Sequence, residues 1–393
     1  MKNCKGDLPS PAKRPKIAIA CPGVGLVQRG FERMMADIYH LVRDSMDVTL
    51  FKGGGPPTEH EIVLRFLPRN GWVARHLPVH RLAGRTAIHL ECLTFGLALL
   101  WRIRSEHFDV VHCTDPPLAR FLYKLRRILG MKFKLLYSEA CAMPASDYPP
   151  ADHIHQISAV TLDDALRFGL TRSYMTLIPL GIFPERFESL PDRASLRELY
   201  GIAPSTFVVV SIAAIDRRHK RIDYLIDEVA SLDGDILLWI DGSLDQGDAT
   251  LVDYARERLG ARCRITHMRS EEVRNLYGLA DVFVHASLFE AFGLAMVEAA
   301  IAGAPLLVHN ADHFRWLIPN ENCWVDMSAA GALAGRLESL RAAPEELDSR
   351  RLREVSAARF DWRVLKSEYL GLYERVASLE NHEIGIAESF GLQ

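Results

Sequence analysis

The chain has 393 residues, 49% hydrophobic and 25% charged, a composition that suits about two folded domains and excludes a disordered chain. Its net charge of −3 gives no nucleic-acid signal, although cations are in excess in the first 180 residues and anions in the remainder. Seven cysteines without a C-x-x-C pair indicate reduced thiols. With no apolar leader and no run long enough to span a bilayer, a cytoplasmic location is expected.

The first part of the chain alternates between short apolar runs and helix-like segments. Residues 1–15 are polar and predict a disordered arm, and "KIAIACPGVG" then predicts a buried strand ending in a glycine turn. Further strands are predicted at 48–51, 108–113, 132–138, 153–158 and 174–179. "PLGIFPERF" (179–187) carries two prolines and a glycine, which marks a hinge. A first domain over 16–180 follows.

The same alternation restarts after the hinge. Strands are predicted at 207–212, 235–240, 263–266, 282–287 and 304–309, with helices between them. This predicts a second domain over 181–361, a closing helix over 362–380 and a tail over 381–393. Repeated strand–helix alternation requires parallel sheets, so the predicted architecture is α/β, with two Rossmann-like domains facing a central cleft.

The stretch "SLFEAFGLAMVEAA" carries two carboxylates in unequal settings. Glu298 is the only charged residue between Ala291 and Val308, on a helix expected to begin near Leu294, and a buried carboxylate needs a partner. It can accept two hydrogen bonds from a vicinal diol such as a ribose, although a solvated surface glutamate explains the pattern as well. Glu290 lies in the preceding loop, and Gly293 leaves the next backbone amides at a helix N-terminus, where anions bind.

The spacing E-x7-E in "EAFGLAMVE" resembles the signature of retaining glycosyltransferases of family 4, which have the GT-B fold. "DVFVHASLFEAFGLAMVEAAIAGAPLLV", "LIPLGIFPERF" and "FDWRVLKSEYLGLYERV" are similar to further segments of that family in the same order. The resemblance implies that Glu298 holds the ribose of a nucleotide-sugar. It also implies that Glu290, with the amides after Phe292 (Gly293 and Leu294), holds the sugar and that these amides face the diphosphate.

A cationic loop, "DRRHKR" (216–221), follows the first strand of the second domain. Several cations beside a strand end repel one another unless an anion neutralises them, and a diphosphate would do so. A solvated basic loop is the alternative. The resemblance assigns the diphosphate to Lys220. The family's usual arginine is absent near Ala214, so Arg217 or Arg218 is expected to substitute for it.

Two positions in the first domain are also candidates. Gly25 lies in a glycine turn that resembles the family's loop beside the donor phosphates, although a plain turn explains it equally well. The strand "KLLYSEACAMP" ends in Glu139 where the family usually has a histidine near the reacting sugar. Glu139 could take that polar role, or it could be a carboxylate satisfied within its own loop.

No metal or other cofactor is expected. Asp233 and Asp235 in "DGD" predict a turn, and His76 and His80 at i, i+4 lack a third ligand nearby. Basic stretches at 65–85 and 123–134 leave open a peripheral contact with the anionic inner face of a membrane, although a solvated face explains them as well.

The resemblance implies metal-independent transfer of a hexose from a nucleotide-sugar, with a UDP-sugar favoured, to an unidentified glycosyl acceptor with retention of configuration. Two alternatives remain at this stage. One is a sugar-nucleotide epimerase of the same fold, for which no convincing acid/base set is found. The other is a non-catalytic sugar-nucleotide-binding partner, suggested by the missing histidine.

Overall fold

The computed structural model describes residues 14–27, 30–76, 86–243, 248–343 and 347–380, without the side chains of Arg75 and Ser270. Most of the predicted arm (1–15), the predicted tail (381–393) and His80 lie outside these ranges. The chain divides into two compact units. The first comprises residues 1–157, 161–178 and 366–393, and the second comprises residues 158–160 and 179–365.

The first unit contains a seven-stranded sheet in the order β3-β2-β1-β4-β5-β6-β7. Its strands are β1 (Lys16–Cys21), β2 (Asp47–Lys52), β3 (Glu61–Val63), β4 (Val110–Cys113), β5 (Lys134–Glu139), β6 (His153–Gln156) and β7 (Met175–Leu177). Every neighbouring pair is parallel. Its helices are α1 (Gly30–Val42), α2 (Trp72–His76), α3 (Ala87–Glu106), α4 (Pro116–Ile128) and, from Thr161 onward, α5 (Ala159–Phe168).

The second unit contains a six-stranded parallel sheet in the order β10-β9-β8-β11-β12-β13. Its strands are β8 (Phe207–Ile212), β9 (Ile236–Asp241), β10 (Cys263–Thr266), β11 (Val282–His285), β12 (Leu306–His309) and β13 (Trp324–Val325). Its helices are α6 (Glu185–Glu188), α7 (Arg193–Leu199), α8 (Ile222–Ala230), α9 (Thr250–Leu259), α10 (Ser270–Leu279), α11 (Leu294–Ala302), α12 (Asp312–Leu317), α13 (Ala332–Ala342), α14 (Ser349–Phe360) and α15 (Trp362–Ser378). From Lys366 onward, α15 belongs to the first unit.

Buried apolar runs explain why the predicted strands form. Strand β1 is buried at every position after Lys16, as expected for a parallel strand covered on both faces. Sequence reasoning missed two edge strands, β3 and β13. Both are very short, and the three residues of β3 are all half-exposed, so neither gives the apolar run that marks a central strand.

Candidate active site

Helix α11 begins at Leu294, as predicted, because Gly293 takes a backbone conformation that other residues avoid. Its φ is +93°, and a Cβ added there would collide with the side chain of Met296. The amide of Met296 makes the first helical bond, to Gly293 O, so the amides of Leu294 and Ala295 precede the hydrogen-bonded ladder. The loop between β11 and α11 therefore ends in a helix N-terminus that faces an anion favourably.

Glu290 lies in this loop, and three basic side chains converge on one of its oxygens. Lys220 Nζ forms an ion pair with Glu290 Oε1, and His285 Nε2 donates a hydrogen bond to the same oxygen at 2.8 Å. His219 Nε2 lies 3.5 Å from it. Within the described residues, Glu290 Oε2 has no hydrogen-bond partner, so one oxygen is held and the other is left to accept.

The electrostatics of this cluster keep Glu290 ionised. Burial acts to raise the pKa of Glu290, but the hydrogen bond from His285 and the nearby charge of Lys220 outweigh it, so the pKa lies well below its ordinary value. Burial lowers the pKa of His285, which favours the neutral imidazole, and in that form the hydrogen bond to Glu290 Oε1 requires the proton on Nε2. His285 Nδ1 is buried and has no hydrogen-bond partner in the described part of the chain.

The loop that carries Lys220 is held in place by its own residues. Asp216 Oδ1 accepts hydrogen bonds from the amides of His219, at 2.6 Å, and Lys220, at 3.1 Å. Arg221 has a φ of +52°, and its guanidinium donates to the carbonyl oxygen of Met327 at 2.7 Å. It also donates to the carbonyl of Ala286 at 3.3 Å. Arg221 thus ties the basic loop to the end of β11.

The two arginines predicted beside Lys220 are in different settings. Arg217 Nε donates to Asp248 Oδ2 at 2.7 Å, and Asp223 lies 3.8 Å from the same guanidinium. Arg218 is exposed. Asp248 and Asp223 therefore already neutralise Arg217, and Glu290 neutralises Lys220, which the sequence did not predict. Their assignment to a diphosphate stays a prediction.

Glu298 is buried on α11, with 8% of the residue exposed. Tyr277 donates its hydroxyl proton to Glu298 Oε2 at 2.8 Å. This contact excludes a solvated surface glutamate, which was the alternative raised from the sequence. Two roles remain for Glu298: it is a structural partner of Tyr277, or it accepts hydrogen bonds from a ribose.

The ring and the backbone carbonyl of Phe292 have different partners. The ring is buried and contacts Trp316 and Phe360, with centroid distances of 6.3 Å and 5.8 Å. Its carbonyl oxygen accepts a hydrogen bond from His313 Nε2 at 3.0 Å. The side chain therefore builds the core, and His313 orients the backbone immediately before Gly293.

Glu139 is fully buried in the first unit, and this chain's own donors occupy both of its oxygens. Tyr137 donates to Oε2 at 2.9 Å, while the amides of Cys141 and Met143 lie 2.8 Å and 3.4 Å from Oε1. Burial raises the pKa of Glu139 despite these bonds. The contacts are those of a carboxylate satisfied within its own loop, and the catalytic assignment remains a prediction.

Position 25 needs a glycine because the backbone there lies close to another turn of the first unit. Its φ is +80°, and a Cβ there would collide with the backbone of Gly54. The close approach that the sequence attributed to donor phosphates is made, in this structure, to another glycine turn. Its proposed proximity to a donor rests on the family resemblance alone.

Sequence reasoning did not assign a role to the histidines around Glu290. His285 is the last residue of β11, and His219 stacks on the exposed ring of Phe289 with a centroid distance of 4.8 Å. A histidine ending a buried strand is a usable signal, because strand ends line sites in parallel sheets. The pairing itself, across 66 positions for His219 and His285, has no local sequence signature.

Two kinds of feature are absent from the described ranges. No helix there is long and apolar enough to cross a membrane. No group of three or more histidine, cysteine or acidic side chains there is placed to hold a metal ion.

Part of the chain matches a known protein family, and solved structures share its fold. A family model described as "Glycosyl transferases group 1" matches residues 192–354, the segment that carries Lys220, Glu290 and Glu298. Among solved structures, sucrose-phosphate synthase from Thermosynechococcus elongatus superposes with a TM-score of 0.75 at 19% identity, over 92% of this chain and 99% of the other. Anabaena HepE in complex with UDP-glucose gives a TM-score of 0.74 at 16% identity, over 92% and 100%. The fold is therefore GT-B, with two Rossmann-like domains.

Individual curated relatives are glycosyltransferases with different substrates. Mannosylfructose-phosphate synthase of Agrobacterium fabrum is 25% identical over 53% of this chain and 46% of its own length. Alpha-galactosylglucosyldiacylglycerol synthase of Streptococcus pneumoniae is 25% identical over 44% and 48%. The Escherichia coli lipopolysaccharide glucosyltransferase WaaG is 28% identical over 37% and 40%. The match to the group 1 family model thus covers residues 192–354, and the chain spans about half the length, or less, of these curated relatives.

Proposed function

We propose that this protein is a retaining glycosyltransferase of family 4 that transfers a sugar from a nucleotide-sugar to an acceptor without a metal ion. The observation that carries the proposal is the convergence of Lys220, His285 and His219 on Glu290, in the segment matched by the group 1 glycosyltransferase model. A UDP-sugar is the favoured donor, supported by the structural likeness to a protein solved with UDP-glucose.

Glu290 is suited to hold the sugar. Its Oε1 is already bonded to Lys220 and His285, so the side chain is fixed before any ligand arrives. Its second oxygen can accept a hydrogen bond from a sugar hydroxyl, and hydrogen bonds to a charged group contribute roughly 1.5–3 kcal/mol each. The low pKa of Glu290 keeps it an acceptor throughout the neutral range.

Lys220 and the start of α11 are suited to hold the diphosphate. As the glycosidic bond to the leaving phosphate breaks, negative charge grows on that phosphate. Lys220 and the amides of Gly293 and Leu294 would stabilise the charge, with Arg217 or Arg218 in support, which is electrostatic catalysis by groups fixed in advance. Glu298 would accept the ribose hydroxyls, and Gly25 would bring backbone close to the donor.

The acceptor receives the sugar on the face from which the nucleotide departs. In this retaining scheme the anomeric carbon loses its bond to the phosphate oxygen and gains one to the acceptor oxygen. The departing phosphate takes the acceptor's proton. The first domain would supply the acceptor site, as the family resemblance implies.

The proposal is tested with UDP-, GDP- and ADP-sugars, each with and without candidate acceptors, by following free nucleoside diphosphate. Release that depends on acceptor supports transfer, and Glu290→Gln should lower it by roughly 10²–10³-fold while the exposed control Glu354→Gln retains it. Tight nucleotide-sugar binding without turnover would contradict the proposal and support a non-catalytic sugar-nucleotide-binding protein instead. None of the relatives described above is an epimerase, and formation of an epimer would overturn the transferase reading.

A further inference from the structure

Four large apolar side chains of the first unit are exposed on two adjacent helices. On α3, Leu97 and Trp101 are 51% and 75% exposed, and at the end of α4, Ile128 and Leu129 are 75% and 45% exposed. Single exposed apolar residues are normal, but a group of four that includes a tryptophan marks an interaction surface more often than a free one. We call these four residues the apolar patch.

The two helices place the patch at one edge of the unit. Gly96 of α3 packs against Phe121 and Leu118 of α4, where an added Cβ would meet both side chains. Each helix is followed by a strand of the same parallel sheet, so both run toward the edge where strands begin. Trp101 lies five residues beyond Gly96, and Ile128 seven beyond Phe121, which is roughly 7–11 Å further along each helix.

The exposed tip of α4 is ordered rather than frayed. Met131 N donates to Arg126 O at 2.9 Å and Gly130 N donates to Arg127 O at 3.3 Å, with Gly130 at a φ of +63°. These are the paired bonds of a Schellman helix end. The Arg126 guanidinium binds Asp152 at 2.9 Å and Phe133 O at 2.8 Å, which fixes the turn further. Ile128 is therefore held outward at little cost in chain entropy on binding.

The charge around the patch is positive. Within the described ranges, four cations beside it have no carboxylate partner: Arg104, Lys124, Arg127 and Lys132. Arg104 follows Leu97 and Trp101 at i+7 and i+3, and Lys124 precedes Ile128 by four residues, so cations and apolar groups share helix sides. Two carboxylates at this edge, Glu106 and Asp152, are paired with cations.

Three carboxylates at the edge differ in their partners. Glu106 contacts Arg102 at 3.2 Å and Lys16 at 3.5 Å. Asp109 accepts a hydrogen bond from the Lys16 amide at 2.7 Å. Asp152 is bound by Arg126. Asp109 and Asp47 keep their charge, and the four cations beside the patch outnumber these two carboxylates.

We propose that this edge of the first unit docks onto an anionic lipid surface. Tryptophan and aliphatic side chains flanked by lysine and arginine are the composition of an interfacial membrane contact, in which the apolar groups enter the headgroup region and the cations meet lipid phosphates. A protein partner would need a matching concave apolar surface, whereas a bilayer accepts a convex tip. The inference does not depend on the proposed transfer reaction.

The test is sedimentation of the full chain with vesicles of phosphatidylcholine, with and without phosphatidylglycerol. Binding should require phosphatidylglycerol and weaken with salt. Each cation near an anionic surface contributes about a fivefold factor in partition, so Lys124→Ala with Arg127→Ala should weaken binding by more than about tenfold. Trp101→Ser with Ile128→Ser should abolish it, and all four positions are exposed, so thermal unfolding should not change.

Matched controls lie in the second unit. Leu199→Ser removes an exposed apolar side chain (68% exposed), and Arg350→Ala with Arg351→Ala removes two exposed cations. Both should bind as the unsubstituted chain does. The proposal would be overturned if the unsubstituted chain did not bind, or if the controls lost binding equally. It would also be overturned if ultracentrifugation showed a dimer of the unsubstituted chain and a monomer of the patch variants, since a second copy would then cover the patch.

Discussion

His285 Nε2 donates a hydrogen bond to Glu290 Oε1 across 2.8 Å, so the last residue of a buried strand fixes a carboxylate five residues further along. Lys220, 70 positions before Glu290, forms an ion pair with the same oxygen. The result is a carboxylate that is ionised, immobile and still able to accept with its second oxygen. In this state Lys220 is engaged, and an incoming diphosphate has to compete with Glu290 for it.

The first prediction follows from that competition. Glu290→Gln keeps the size of the side chain but removes the charge that holds Lys220, so sugar-free UDP should bind several-fold more tightly. Transfer should fall by roughly 10²–10³-fold, as for loss of one fixed group that stabilises a reacting centre. Calorimetric titration and steady-state rates measure the two effects. Lys220→Met should weaken UDP binding and transfer together, and unchanged UDP affinity in Glu290→Gln would contradict the competition.

The second prediction separates the two roles left for Glu298. Glu298→Ala should weaken nucleoside diphosphate binding by about 10–100-fold if the carboxylate accepts ribose hydroxyls. Tyr277→Phe is the matched control, because it removes the 2.8 Å hydrogen bond and keeps the carboxylate. Its nucleotide affinity should stay within a few-fold of the unsubstituted chain. Equal losses of thermal stability in both variants, with affinity unchanged in both, would make Glu298 purely structural.

A third prediction concerns Glu139. In Glu139→Gln the new amide group faces backbone N–H donors, so the free energy of unfolding should fall by about 1–3 kcal/mol. Transfer per folded molecule should be retained, because the described contacts of Glu139 are all internal. Denaturant unfolding and kcat at a temperature where the variant is fully folded measure both. A large fall in kcat with unchanged stability would instead support the catalytic assignment made from the sequence.

The fourth prediction is acid sensitivity of the first unit. Burial lowers the pKa of His155 to about 4, and burial also lowers the pKa of His112 well below its usual range. Ser138 Oγ bridges them, at 2.6 Å from His112 Nε2 and 2.7 Å from His155 Nδ1. Tyr373, at 2.8 Å from His112 Nδ1, joins helix α15 to the same network.

The sign of the effect follows from the lowered pKa values. In the unfolded chain these histidines take up protons near pH 6.5, whereas the folded chain does not until about pH 4 for His155. Stability should therefore be constant above pH 6.5 and fall as the pH drops toward 4, by about 3 kcal/mol for His155. Scanning calorimetry across this range measures it. His155→Gln should flatten the slope, while the exposed control His267→Gln should leave it unchanged; identical slopes would refute the account.

Local pattern was enough to predict the fold from the sequence. Each central strand is a short apolar run, Gly293 marks the start of α11, and strand–helix alternation requires parallel sheets, so two Rossmann-like domains followed without tertiary information. These features depend on residues close together in the chain. The edge strands β3 and β13 were not predicted because both are too short to carry that pattern, and β3 has no buried residue.

Tertiary structure alone decided what each charged group touches. Lys220 contacts Glu290 and Arg217 contacts Asp248, and neither pairing has a local sequence signature. The physical reason is that strand order, here β8 beside β11, brings together loops that are distant in the chain. Residue types could therefore predict where the site lies. Only the folded sheet could show which cations are already neutralised and which histidines surround Glu290.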